Sequence, residues 1–107
     1  MNDKYILDAS GKPVPEPDLL AWGKWFQDNG QQRIVKKDKI GDSTVSTVFL
    51  GLDHNFAPDG PPLIWETMVF EGPMAHEMDR CSGNREQAEA MHARMVGRVK
   101  QQQRKEL

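Results

Sequence analysis

Between Ser43 and Phe70 the chain twice alternates side-chain character with a period of two. In residues 43–52, Ser46, Val48, Leu50 and Leu52 fall on one face and Val45, Thr47, Phe49 and Gly51 on the other. In residues 62–70, Leu63, Trp65, Thr67 and Val69 alternate with Ile64, Glu66, Met68 and Phe70. A strand points successive side chains to opposite faces, so both segments read as strands of one sheet. A loop rich in Asp, Asn, Gly and Pro, residues 53–61, separates them. Residues 32–40 read as a preceding half-exposed strand, with the turn at Gly41 and Asp42. Residues 74–81, after a tight turn at Glu71, Gly72 and Pro73, read as a polar strand at the sheet edge.

On either side the period becomes helical. Over residues 17–28, Leu19, Trp22 and Phe26 share a stripe, with Trp25 beside it. Pro17 suits the first turn, Asp18 complements the positive helix end, and Asn29 with Gly30 predicts a stop with Gly30 left-handed. The aromatic cluster is expected to face the core. Asn84 followed by Gln87 reads as a capping box that starts the last helix. In that helix Ala88, Met91, Met95 and Val99 form a stripe joined by His92 and Val96. Residues 4–7 and 12–14 flank Asp8, Ser10 and Gly11 as a short hairpin. The tail at 101–107 has no apolar partner and is expected to fray.

A meander with one apolar face and two amphipathic helices satisfy each other as layers. The expected fold is therefore α+β, a two-layer sandwich in the order α-β-β-β-(β)-α. An antiparallel sheet of three to four strands carries both helices on one face, and residues 1–107 form a single domain.

Composition narrows the function classes. The 107 residues hold 14 basic and 16 acidic side chains, a net charge of −2 that argues against binding to duplex nucleic acid. A single cysteine, Cys81, rules out an internal disulfide and a cysteine-rich zinc site. The start, MNDKYILDASG, has no apolar signal core, and no run reaches transmembrane length. A soluble protein of the cytoplasm is the expectation.

The ionisable residues offer few constellations. Asp53, His54, Asn55 and Phe56 lie where a strand opens into the long loop, and an Asp beside a His can orient the imidazole for acid–base work. The competing reading is a turn in which Asp53 and Asn55 cap loop amides. Glu66 sits among apolar neighbours and is expected to pair across the sheet with Lys36 or Lys37. Lys36, Lys37 and Lys39 read as edge-strand protection against self-pairing. His76–Glu77 and His92 match no metal-ligand spacing, so no metal and no cofactor is expected. Cys81 reads as an inert strand-end thiol. The order of elements is also that of a double-stranded RNA-binding domain, but the segment NREQAEAMH lacks the lysines that module needs at its last helix.

The segments STVFLGLDHNF (46–56), PPLIWETMVF (61–70) and REQAEAMHARMV (85–96), with YILD, PVP and WGKWF, resemble a family of small, mostly uncharacterised proteins encoded by bacteriophages and prophages. The resemblance covers most of the chain. It implies a phage or prophage accessory protein and carries no catalytic residue. The leading expectation is a non-enzymatic protein-binding module, one version of which inhibits a host defence system. Its surface would comprise the 53–61 loop, with Asp53, His54, Asn55 and Phe56, and the strand face around Glu66 and His76. The partner would be a host or phage protein, and an edge strand offers a route to a homodimer. The alternatives are a small hydrolase or nucleotide-processing enzyme using His54 with Asp53 or Glu66, and a nucleic-acid-binding accessory protein.

Overall fold

The computed structural model describes residues 2–57 and 59–105; Pro58 of the central loop and Glu106–Leu107 of the tail lie outside the described residues. Four strands form an antiparallel meander: β3 (Ile34–Ile40), β4 (Ser43–Phe49), β5 (Trp65–Phe70) and β6 (Met78–Cys81), in that spatial order. Two short strands, β1 (Tyr5–Leu7) and β2 (Pro13–Pro15), make a separate hairpin. It is tied to the extension of β4 by Tyr5 N–H to the Gly51 carbonyl and a bridge between Lys4 and Leu52. Helix α1 (Leu19–Asp28) precedes the meander and α2 (Arg85–Lys105) follows it. The class is α+β, as the alternating and helical periods predict.

The period-two pattern sorts burial along β4 and β5. Ser43, Val45, Thr47 and Phe49 are buried, as are Trp65, Thr67 and Val69, while the residues between them are not. Against that face lies α2, burying Ala88, Met91, His92, Met95 and Val99, the stripe anticipated from spacing, while Val96 is half-buried. Fully burying such an apolar side chain contributes about 1.5–3 kcal/mol, so this face anchors the helix. Apolar packing divides in two along α2. Leu7, Phe49, Ile64, Trp65, Ala88 and Met91 cluster toward its start, and Val45, Val69, Met95 and Val99 toward its end.

The capping box forms as expected: Gln87 N–H donates to Asn84 Oδ1 and Asn84 N–H to Gln87 Oε1, both at 3.0 Å. At the other end the helix continues through Lys105, and Gln103 donates to the Ile40 carbonyl at 2.6 Å. That bond ties the 101–105 segment to the β3–β4 turn.

Helix α1 meets the core through only part of its stripe. Trp25 packs edge-on against Phe49, and Trp22 Nε1 donates to the Gly51 carbonyl at 2.9 Å. Leu19, expected in the stripe, is 65 % exposed: α1 lies against β1 of the hairpin, and none of its residues is fully buried. Asp18 is the N-cap, its carboxylate accepting from the Leu20 and Ala21 amides. Gly30 is not left-handed. The helix closes instead through Asn29, whose side-chain amide bonds the Trp25 carbonyl, and a further turn leads into β3. Strand β3 consequently begins at Ile34 rather than 32. Likewise β6 begins at Met78 rather than 74, since residues 74–77 are occupied by a turn in which His76 has φ 75°.

Candidate functional site

Asp53, His54 and Asn55 build a loop clamp. The Asp53 carboxylate accepts from Asn55 N–H at 2.7 Å and from Leu63 N–H at 2.9 Å, so one oxygen closes the loop across its base. Asn55 continues the clamp, donating to the Pro61 carbonyl and accepting from Ala57 N–H. The His54 ring turns back, its Nδ1–H donating to the Leu52 carbonyl at 3.0 Å. This is the capped-turn reading of the segment, with Phe56 held 89 % exposed beside it.

Glu66 pairs across the sheet, but not with a β3 lysine. Its partner is Arg80 on β6, Nε to Oε2 2.9 Å. The strand order explains the correction: β4 stands between β5 and β3, and the rows containing Lys36 and Lys37 run through Thr67 and Met68, not Glu66. Asp53, His54 and Glu66 thus each hold a separate partner. His76 is exposed in the β5–β6 turn. Cys81 packs against the core at the end of β6, where burial and then the Asp79 charge push its thiol pKa up, away from nucleophilic use. The three lysines lie on β3, which is an edge strand.

The most connected polar group was not anticipated. Under α2, Thr47 and Thr67 share a short hydroxyl–hydroxyl bond, and Thr47 Oγ1 lies 2.7 Å from His92 Nδ1. His92 Nε2 reaches Asp38 Oδ2 on β3 at 2.8 Å. Three of the four residues are buried; only the Asp38 end meets solvent, in an open groove of about 550 Å³ between β3 and α2 that Lys36 and Lys100 also line. The His92 hydrogen bond, aided by the Lys36 charge, holds the Asp38 carboxyl below its ordinary value. Ionised, Asp38 can only accept, so Nε2 carries a proton. Thr47 then donates to Nδ1 when the ring is neutral and accepts from it when charged, with the Thr67 hydroxyl reversing in step. With the ring neutral every donor in the line has an acceptor, Thr67 donating to Thr47, Thr47 to Nδ1 and Nε2 to Asp38.

Carboxylate, imidazole and hydroxyl in this order match the parts of a nucleophilic triad, but the polarity is inverted. In a hydrolase the hydroxyl must face substrate and the carboxylate is sequestered. Here Thr47 is fully buried and Asp38 is the accessible end, so no acyl group can reach the oxygen. The line is a structural tie. Its components were individually visible in the strand parity of Thr47 and Thr67 and in the position of His92 on the apolar stripe. The link to Asp38, 54 residues from His92, required the tertiary fold.

No protein family, curated protein or solved structure matches this chain. Among the described residues no group of three or more His, Cys, Asp or Glu is placed to hold a metal ion, and no helix is long and apolar enough to cross a membrane.

The remaining feature is a whole surface. Helix α2 covers one face of the sheet, and among the described residues no helix or strand is layered on the opposite face. On it Phe70 is 47 % and Met78 42 % exposed, with Met68 half-buried beside both and Val48 half-buried on β4 in the next row.

Proposed function

We propose that this chain is a phage or prophage accessory protein of the bacterial cytoplasm, acting as a non-enzymatic module that occupies a partner protein's surface. The observation that carries the reading is the uncovered sheet face, whose central strands present Met68 and Phe70 beside Met78 of β6. Contiguous apolar surface of this kind on a small domain marks an interaction site. Near the same sheet, where β4 leads out and β5 returns, the clamped loop holds Phe56 outward. A preorganised aromatic loses little freedom on binding, which suits an anchor residue. The engagement of Asp53, His54 and Glu66 in separate structural bonds supports binding over catalysis. The phage setting rests on the resemblance of segments 46–56, 61–70 and 85–96, and inhibition of a host defence system is one form such binding would take.

The test is affinity capture from bacterial lysate, comparing the wild-type chain with Phe70→Ser/Met78→Ser and with Phe56→Ala. A partner retained by the wild type and lost by the first variant is expected. Recovery of no partner, even at low salt, counts against the proposal.

A further inference from the structure

We infer that the occupant of the uncovered sheet face is an acidic amphipathic segment of a partner protein, its apolar stripe on Met68, Phe70 and Met78 and its carboxylates beside Lys37 and Lys39. This rests on the reading of the chain as a protein-binding module and adds the chemistry of what it binds. The register supplies the map. One row runs Lys37, Ser46, Met68, Met78 across all four strands, and the next runs Lys39, Thr44, Phe70. Apolar contact is therefore concentrated on β5 and β6, and cationic charge on the β3 margin. The outer strands of such a sheet stand roughly 14 Å apart, a span that takes one helix with its flanking side chains.

Charge decides among occupants. The one carboxylate of the third row, Glu66, is already held by Arg80 in the row Val48, Glu66, Arg80. Neither Lys37 nor Lys39 has an ion-pair partner among the described residues. The face is thus net cationic although the chain as a whole is net acidic. A second copy packed face to face would bring lysines and Arg80 toward like charges, with no unpaired carboxylate in those three rows to answer them. An acidic partner meets two unopposed ammonium groups at the rim of an apolar patch, which sets selectivity and encounter rate. The methionines adapt their shape to an apolar stripe without a fixed pocket.

The test uses two labelled synthetic helical peptides with the same leucine stripe, one flanked by glutamates and one by lysines, and a labelled oligo(dT) strand. Fluorescence anisotropy reads affinity, and amide chemical shifts locate the contact. The acidic peptide is expected to bind, shifting the amides of β4, β5 and β6, with Lys37→Glu/Lys39→Glu weakening it roughly tenfold, the effect of losing two rim ion pairs. Equal binding of both peptides, unchanged by the lysine substitutions but lost in Phe70→Ser, overturns the acidic assignment and leaves the protein-binding reading standing. Binding of oligo(dT) in place of either peptide overturns both. Binding of none of the probes overturns the acidic assignment, and lysate capture then decides the broader reading. Circular dichroism of each variant confirms that the exposed substitutions leave the fold intact.

Discussion

Replacing Thr47 with valine tests the buried polar line most sharply. The substitution keeps the side-chain shape and removes the one hydroxyl that joins Thr67 to His92. It leaves two polar groups without partners in a site closed to water, the Thr67 hydroxyl and His92 Nδ1. Each orphaned group costs about 1–3 kcal/mol, so Thr47→Val should destabilise by about 2–6 kcal/mol. Thr67→Val is different, since Thr47 keeps His92 and only one net hydrogen bond, about 1 kcal/mol, disappears. The double variant separates the effects. Once Thr47 is valine, the Thr67 hydroxyl is a liability, so removing it should cost nothing or restore stability. Urea unfolding followed by fluorescence of the buried Trp65 supplies the cycle, and each kcal/mol should also move Tm by about 4–8 °C. Additive losses in the double variant, or a neutral Thr47→Val, would refute the network as described.

Three further outcomes follow from the geometry. Because the His92 hydrogen bond lowers the Asp38 pKa, its stabilisation is fully present above the ordinary carboxylate value of 3.8 and is lost as pH falls through the lowered value. Asp38→Asn should therefore flatten the acid limb of the stability profile, and an unchanged acid slope in thermal melts would contradict the assignment. Gly51→Ala should destabilise by about 1–3 kcal/mol: Gly51 has φ 76°, and an added Cβ would meet the Phe26 ring at 3.1 Å. A shifted urea midpoint with the far-UV spectrum kept checks it. Loss of the cap in Asn84→Ala should cost about 1 kcal/mol and speed amide exchange in the first turn of α2 while leaving Met95 and Val99 protected.

Local rules made much of this architecture readable. Strand parity placed Val45, Thr47, Phe49, Trp65, Thr67 and Val69 on the buried side, and the i, i+3, i+7, i+11 stripe joined by His92 and Val96 contains the five residues α2 buries, with Val96 half-buried. The Asn84–Gln87 cap was legible because it involves only neighbours. What failed depended on which strands and helix turns become neighbours. Glu66 required a cross-strand base, but choosing Arg80 over Lys36 or Lys37 needs the sheet order. Gly30 follows the helix stop, yet Asn29 closes the helix through its backbone and side-chain amides, both on the Trp25 carbonyl, and Gly30 is not left-handed. Leu19 fits the helical period but stays exposed, because α1 rests on the β1 hairpin strand and which element a helix meets is not written in its period. For the candidate site, Asp53 and Asn55 were readable as turn chemistry from their spacing. The Asp38–His92–Thr47–Thr67 line joins β3, β4, β5 and α2, so no single segment announces it.

The position of that line between two apolar clusters has a consequence for how the helix seats itself. Methionine, alanine and valine on a featureless apolar sheet would tolerate sliding, since one greasy contact replaces another at little cost. His92 removes that freedom. Moving α2 along its axis by one turn, about 5.4 Å, would carry the imidazole off Thr47 and onto Val45 or Phe49 and strand the two hydroxyls together. The polar seam acts as a detent, and the price in desolvation secures a single axial setting of the long helix.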